Sequence, residues 1–297
     1  MIVVRICEGL GNQMFEYAYA YAVAQRMKKR KIRVYLDMRD SDVTLYDRRR
    51  IGRRIAIDKF NISIPAADSE VLRHWNYIMD KTISHRMVQY MQSIGLWKYQ
   101  VIQEDKFHYE KKYLQIRDDT YVNGWFQHYQ YFNGYRKQLL SEFTLKEEWS
   151  IPEQLRQIMK EYQVVSIHVR RGDYITNSYA RKLLPVCRKD YYMDAVKYLK
   201  TRVSNPYLFI FTNDEKWVNN NLYFDVPGIV ITGHYNLSDV QELILMSQCK
   251  HNIIANSTFS WWGAWLNTYE NKIVIVPHRW FKDVSRENIA LESWVKM

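Results

Sequence analysis

The heptapeptide His168-Val169-Arg170-Arg171-Gly172-Asp173-Tyr174 closes the apolar run that starts at Val164. Side chains alternate faces along a strand, so His168 and Arg170 share one face at its mouth and Arg171 points elsewhere. A guanidinium fork there suits a pyrophosphate, since each charge-assisted hydrogen bond is worth roughly 1.5–3 kcal/mol. Gly172 permits a sharp exit. The plainer alternative is a structural ion pair between Arg171 and Asp173, with Arg170 merely exposed.

A second segment runs from Ile253 to Leu266, where a buried strand passes into Asn256-Ser257-Thr258-Phe259 and then an aromatic-rich helix. Free N–H groups at that helix start, with the Ser257 and Thr258 hydroxyls, make an anion seat that needs no metal. Ser257 also suits a plain N-cap, and the two roles are compatible. Trp262 and Trp265 are read as core. Glu242 falls in the first turn of a helix that follows Ser238. Its carboxylate could accept two hydrogen bonds from the N1 and N2 edge of guanine, although propensity alone makes it a solvated first-turn acid.

Near the N-terminus, Gly9-Leu10-Gly11-Asn12-Gln13-Met14 brings a Gly-rich turn and a helix start to the end of the first strand, and Asp37 ends the next one. The dinucleotide fingerprint fails, because Met14 stands at the third glycine and Asp37 lies too far on. Asp40-Ser41-Asp42 spells a D-x-D string of the kind that holds a divalent ion in some nucleotide-sugar enzymes, but it sits in a charged loop and no metal is expected. No H-E-x-x-H and no serine-histidine-acid constellation supports a zinc protease or a nucleophilic hydrolase.

The positioning elements follow from periodicity. Ile2 to Ile6 and Ile32 to Leu36 read as strands around an amphipathic helix on Phe15, Ala18, Tyr19, Ala22 and Val23, with Lys28 to Arg30 suiting its C-terminal dipole. Residues 40 to 150 are less regular, with helical stretches at Val71 to Leu96 and Phe132 to Phe143 and a strand at Thr120 to Asn123. Beyond Pro152 strands are predicted at Val164 to Val169, Tyr207 to Thr212, Ile229 to Ile231, Ile253 to Ala255 and Ile273 to Val276. Helices lie between them, one behind an Asp190 cap and one behind a Ser238-x-x-Gln241 capping box. Such alternation argues an α/β fold with parallel, doubly wound sheets in two lobes, 1–150 and 151–297, the C-terminal tail packing back on the first.

The 297 residues carry a net charge of +11, with 47% hydrophobic and 25% charged residues, which is globular and excludes a disordered chain. No apolar run reaches the 18 or so residues of a membrane span, and Arg5 and Glu8 interrupt any leader core. Cys7, Cys187 and Cys249 are odd in number and widely separated, which fits a reducing, cytoplasmic compartment. The basic residues are dispersed except at Lys28 to Lys31 and Arg48 to Arg54. That distribution argues against a nucleic-acid partner; the two clusters read first as a solvated face, and the sharper alternative is peripheral contact with polyanionic substrate or anionic lipid headgroups.

Together these residues closely resemble the α-1,2-fucosyltransferases of glycosyltransferase family 11, especially the short bacterial type. The matching motifs are Gly9 to Ala18, Asn123 to Phe132, His168 to Tyr174, Phe211 to Asp214 and Cys249 to Leu266, in the family's order. The resemblance implies a GT-B-like pair of Rossmann-type lobes with parallel sheets facing a cleft, the first on the acceptor side and the second binding GDP-β-L-fucose. It implies inverting, metal-independent transfer to the 2-hydroxyl of a terminal galactose in a glycan such as an O-antigen unit, with no cofactor.

By the same resemblance His168, Arg170 and Arg171 carry the donor motif, Glu242 reads guanine, and Ser257, Thr258 and Phe259 form the phosphate-side loop. Asn12, Gln13, Asp214 and Asn256 join them as substrate contacts. Arg170 stabilises the leaving GDP, and Asp173 and Glu8 are the carboxylates considered for the attacking hydroxyl's proton. Glu8 replaces a usual glycine and Glu16 a common glutamine. The competing readings are another sugar-nucleotide transferase and a non-catalytic glycan- or nucleic-acid-binding protein.

Overall fold

A computed structural model describes residues 1–39, 54–73, 75, 87, 90, 91, 93–95, 99–104 and 107–297. The chain divides into two compact units, Met1–Lys146 and Glu147–Met297. Asp40-Ser41-Asp42, most of the Arg48 to Arg54 cluster and most of the Val71 to Leu96 stretch lie outside the described residues.

The first unit holds a four-stranded parallel sheet in the order β2-β1-β4-β3, with β1 at Ile2–Arg5, β2 at Val34–Asp37, β3 at Gln100–Gln103 and β4 at Thr120–Asn123. β3 escaped the sequence reading because polar glutamines flank only two apolar residues. The first helix spans Leu10–Met27, so the turn before it is two residues shorter than its glycines suggested. It is not amphipathic: every residue from Gln13 to Val23 is buried. Its tyrosines tolerate this because their hydroxyls have partners. Tyr19 Oη donates to the Tyr113 carbonyl at 2.6 Å while its ring stacks on Phe126, and Tyr17 Oη donates to Glu142. Helix Arg136–Glu142 occupies part of the stretch expected from Phe132 to Phe143.

The second unit holds a six-stranded parallel sheet, β10-β9-β8-β5-β6-β7. Its strands are β5 Gln163–Val169, β6 Pro206–Thr212, β7 Gly228–Val230, β8 His251–Ile253, β9 Val274–Val276 and β10 Val295–Lys296. Counted from β5, this is the 3-2-1-4-5-6 order of the dinucleotide-binding fold. Alternation sorts the core: Val165, Ile167, Leu208 and Ile210 pack with Tyr192, Ala195, Val196 and Leu199 of helix Lys189–Lys200 on one face. Val164, Phe209 and Phe211 pack with Leu245 and Met246 of helix Asp239–Gln248 on the other.

Two local expectations are corrected. β8 ends at Ile253, leaving Ile254 to Ser257 as a loop, because Asn252 and His251 supply strand positions that hydropathy discounts. Helix Lys189–Lys200 has Arg188 at its N-cap position, and Asp190 sits in its first turn without capping. At the C-terminus, Val295 and Lys296 pair in parallel with Ile275 and Val276, adding an edge strand to the second sheet. The Ser238 and Gln241 capping box forms as predicted.

Candidate active site

In the second sheet, β5 and β8 are neighbours whose outgoing chains turn to opposite sides, which is where open parallel sheets bind ligands. Both chemistry-bearing segments leave the sheet there. After β5 the chain turns sharply into a short helix, Gly172–Thr176. Asn213, just past β6, fixes that turn: its Oδ1 accepts the main-chain N–H of Arg171 at 2.9 Å and of Gly172 at 3.1 Å. A Cβ on Gly172 would stand 2.8 Å from Asn213 Nδ2, so a side chain there would displace that amide.

The arginines pair otherwise than expected. Arg170 NH2 donates to Asp173 Oδ2 at 2.7 Å, and Asn213 Nδ2 donates to Asp173 Oδ1 at 3.3 Å. One oxygen of Asp173 thus holds Arg170 and the other accepts Asn213. Arg171 instead donates from Nε to Asp214 Oδ2 at 3.3 Å, with its guanidinium 4.0 Å from the Trp217 ring centroid. Asp214 also caps helix Glu215–Asn221 by accepting from Trp217 N–H. Arg171 is therefore a brace between β5 and β6. Arg170 Nε is buried and has no hydrogen-bond partner among the described residues, a donor suited to an anionic oxygen.

Past β8, Ser257 stands at the N-cap of helix Thr258–Leu266 and makes no side-chain cap bond. His168 Nδ1 lies 2.8 Å from Ser260 Oγ and the imidazole 5.7 Å from the Phe259 ring, which ties β5 to that helix start. Burial, with Arg170 adding, pulls His168 down to about 3, so it is neutral and serves as a hydrogen-bonding strut. Asn256 is buried behind the helix start. Its Nδ2 donates to the Pro185 and Trp280 carbonyls at 2.8 and 3.1 Å, fastening two loops under the site. Trp261, Trp262 and Trp265 are core, as read from the sequence for the last two.

Glu242 is not a solvated acid. It is 8% exposed, and Thr232 Oγ1, just past β7, donates to its Oε2 at 3.0 Å while accepting Thr212 N–H at 3.2 Å. Burial pushes its carboxyl up to about 7. Thr232 had no signal in spacing, whereas Asn213 lies within the Phe211 to Asp214 motif, although its partners are distant in sequence.

In the first unit, Glu8 follows β1 with φ at 65°. Its Oε2 accepts Asn12 Nδ2 at 2.8 Å, and Asn12 Oδ1 accepts Gln127 Nε2 at 3.1 Å. Gln13, expected to touch substrate, is fully buried and spent on backbone: Nε2 donates to the Glu8 and Arg54 carbonyls, and Oε1 accepts Ala56 and Ile57 N–H. Glu16 is also fully buried, accepting Cys7 N–H at 2.8 Å, and burial pushes its carboxyl well above the ordinary range. Asp37 is bound by Arg39 and by Tyr121 Oη at 2.7 Å, which leaves no ribose-binding role. Among the described residues no group of three or more His, Cys, Asp or Glu is arranged to hold a metal, and no helix is long and apolar enough to cross a membrane.

Comparison with known proteins identifies the family and the fold. An Escherichia coli O-antigen biosynthesis glycosyltransferase, WbnK, is 31% identical over 304 residues, covering 97% of this chain and 98% of its own. An Escherichia coli alpha-1,2-colitosyltransferase is 31% identical over 304 residues, covering 100% of this chain and 99% of its own. The crystal structure of NodZ alpha-1,6-fucosyltransferase soaked with GDP-fucose superposes with a TM-score of 0.50 at 14% identity, covering 89% of this chain and 91% of that one. At that identity the likeness speaks for the fold alone, a GT-B-like set of two α/β units. Residues 1–297 match the family Glycosyl transferase family 11. The chain belongs to that family and is a glycosyltransferase.

Proposed function

We propose that the protein is an inverting α-1,2-fucosyltransferase that moves L-fucose from GDP-β-L-fucose to the 2-hydroxyl of a terminal galactose in a surface glycan. The observation that carries the reading is Arg170, held by Asp173 with a buried, unpartnered Nε, at the point where β5 and β8 part and helix Thr258–Leu266 begins. The motif resemblance supplies fucose and galactose, and the α-1,2 linkage agrees with the printed activity of the colitosyltransferase relative.

In this reading the acceptor's 2-hydroxyl oxygen attacks the anomeric carbon as the bond to the β-phosphate oxygen breaks, and GDP leaves with the electron pair. Arg170 and the Thr258, Phe259 and Ser260 amides receive the charge that develops on that oxygen, in place of a divalent ion. Glu242 accepts from guanine N1–H and the N2 amino group. The hydroxyl proton passes to water, since Asp173 is committed to Arg170. The second unit binds the donor and the first the acceptor.

Labelled GDP-fucose offered with a panel of galactosides, with the product linkage assigned by NMR, tests this. An α-1,2-linked fucoside formed equally well in EDTA is the expected result. Loss of transfer in EDTA with rescue by manganese would overturn the metal-free account. The relative's activity motivates one second reading, colitose transfer, and preferential use of GDP-colitose in the same assay would favour it.

A further inference from the structure

Glu8 occupies the left-handed region, with φ at 65°, which glycine enters freely and an L side chain resists. The fold alone would be better served by glycine. The glutamate is nonetheless held from two sides: its carbonyl oxygen accepts Gln13 Nε2 at 2.7 Å and its carboxylate accepts Asn12 Nδ2 at 2.8 Å. Asn12 is held in turn by Gln127 at 3.1 Å. Glu8 and Asn12 follow β1, Gln127 follows β4, and these are the two central strands of the first sheet. The series therefore spans their carboxyl ends, where such sheets bind ligands. Glu8 and Asn12 are half-buried and Gln127 is buried, so the series combines rigidity with access at one end.

A carboxylate backed by two primary amides has the chemistry to read sugar hydroxyls and repels phosphate. A strained residue whose side chain is fixed this firmly is the kind retained for function. We infer that Glu8 selects the acceptor sugar by accepting hydrogen bonds from its hydroxyls, with Asn12 and Gln127 holding the carboxylate in place. The inference rests on the acceptor role given above to the first unit.

The test compares wild type with Glu8→Gly and Glu8→Gln. Glu8→Gly should fold with a thermal midpoint at or above wild type, because glycine relieves the backbone, and should bind GDP within about twofold of it. Its acceptor KM should rise by about tenfold or more with kcat little changed, and Glu8→Gln, which keeps one accepting oxygen, should fall between. In a series of monodeoxygalactosides, the analogue that wild type penalises most should lose that penalty in Glu8→Gly. An unchanged acceptor KM and deoxy profile overturns the inference, as does a collapse of kcat at constant KM, which would make Glu8 a proton acceptor. If wild type transfers to no galactoside the functional reading fails, and binding to an immobilised glycan array still decides Glu8. Binding lost in Glu8→Gly upholds the inference, and equal binding overturns it.

Discussion

Asn213 lies directly over Gly172, bonded to its N–H at 3.1 Å, and a side chain on Gly172 would displace its amide. The same asparagine holds Asp173, and Asp173 holds Arg170, so the guanidinium at the mouth of β5 is placed from β6. Gly172→Ala should therefore cost about 1–3 kcal/mol of stability as Asn213 is displaced. It should also weaken GDP binding more than a substitution of equal stability cost in the core. Denaturation and calorimetry on the same variants check both, and wild-type GDP affinity in Gly172→Ala would break the chain of positioning.

Removing Arg170 should be far more severe. Arg170→Ala is expected to lower turnover by about two orders of magnitude, the scale of one strong electrostatic donor. Arg170→Lys should recover little, because a point charge cannot supply Nε and NH2 together. Asp173→Asn should lower activity by about tenfold without moving the pH profile, as a holding residue does and a general base does not. Steady-state kinetics across pH separates these outcomes.

Glu16 gives a stability prediction with a definite sign. Its carboxyl is raised above the ordinary range by burial, so the fold favours the protonated form. That contribution is fully present below the usual glutamate value and is lost as pH rises toward the raised folded value. Glu16→Gln removes the ionisable group and keeps an oxygen for Cys7 N–H, so its thermal midpoint should match wild type near pH 4 and exceed it at pH 8. A wild-type midpoint independent of pH across that range in the same comparison would show that Glu16 is ionised in the fold.

Much of the second unit was legible because its strands are apolar runs punctuated by caps. Ser238 and Gln241 announce their helix, and the His168 to Tyr174 and Asn256 to Phe259 segments mark the two strand exits that meet at the ligand end. Partnerships were less legible. Arg170 and Arg171 are adjacent in sequence, and only the turn fixed by Asn213 decides that one meets Asp173 and the other Asp214. In the first unit, the buried helix Leu10–Met27 hid its nature because tyrosine hydroxyls and the Glu16 carboxyl find partners inside. Glu8 was visible as an odd residue, but its positive φ and its link through Asn12 to Gln127 exist only in three dimensions.

The central claim, that the second unit reads a guanine nucleotide at the ends of β5, β6, β7 and β8, is tested most directly by calorimetric titration of GDP and ADP between pH 5.5 and 8.5. Glu242 is held at about 7 by burial, and guanine requires its ionised form. Below that value nucleotide must displace a proton, so GDP affinity should fall by up to about tenfold per pH unit, and ADP should bind weakly throughout. Glu242→Gln should weaken GDP at pH 8, narrow its advantage over ADP and remove the part of the pH dependence that comes from the protein. If Glu242→Gln keeps both the wild-type GDP-to-ADP ratio and the wild-type pH profile, guanine is read elsewhere and the account of the site is contradicted.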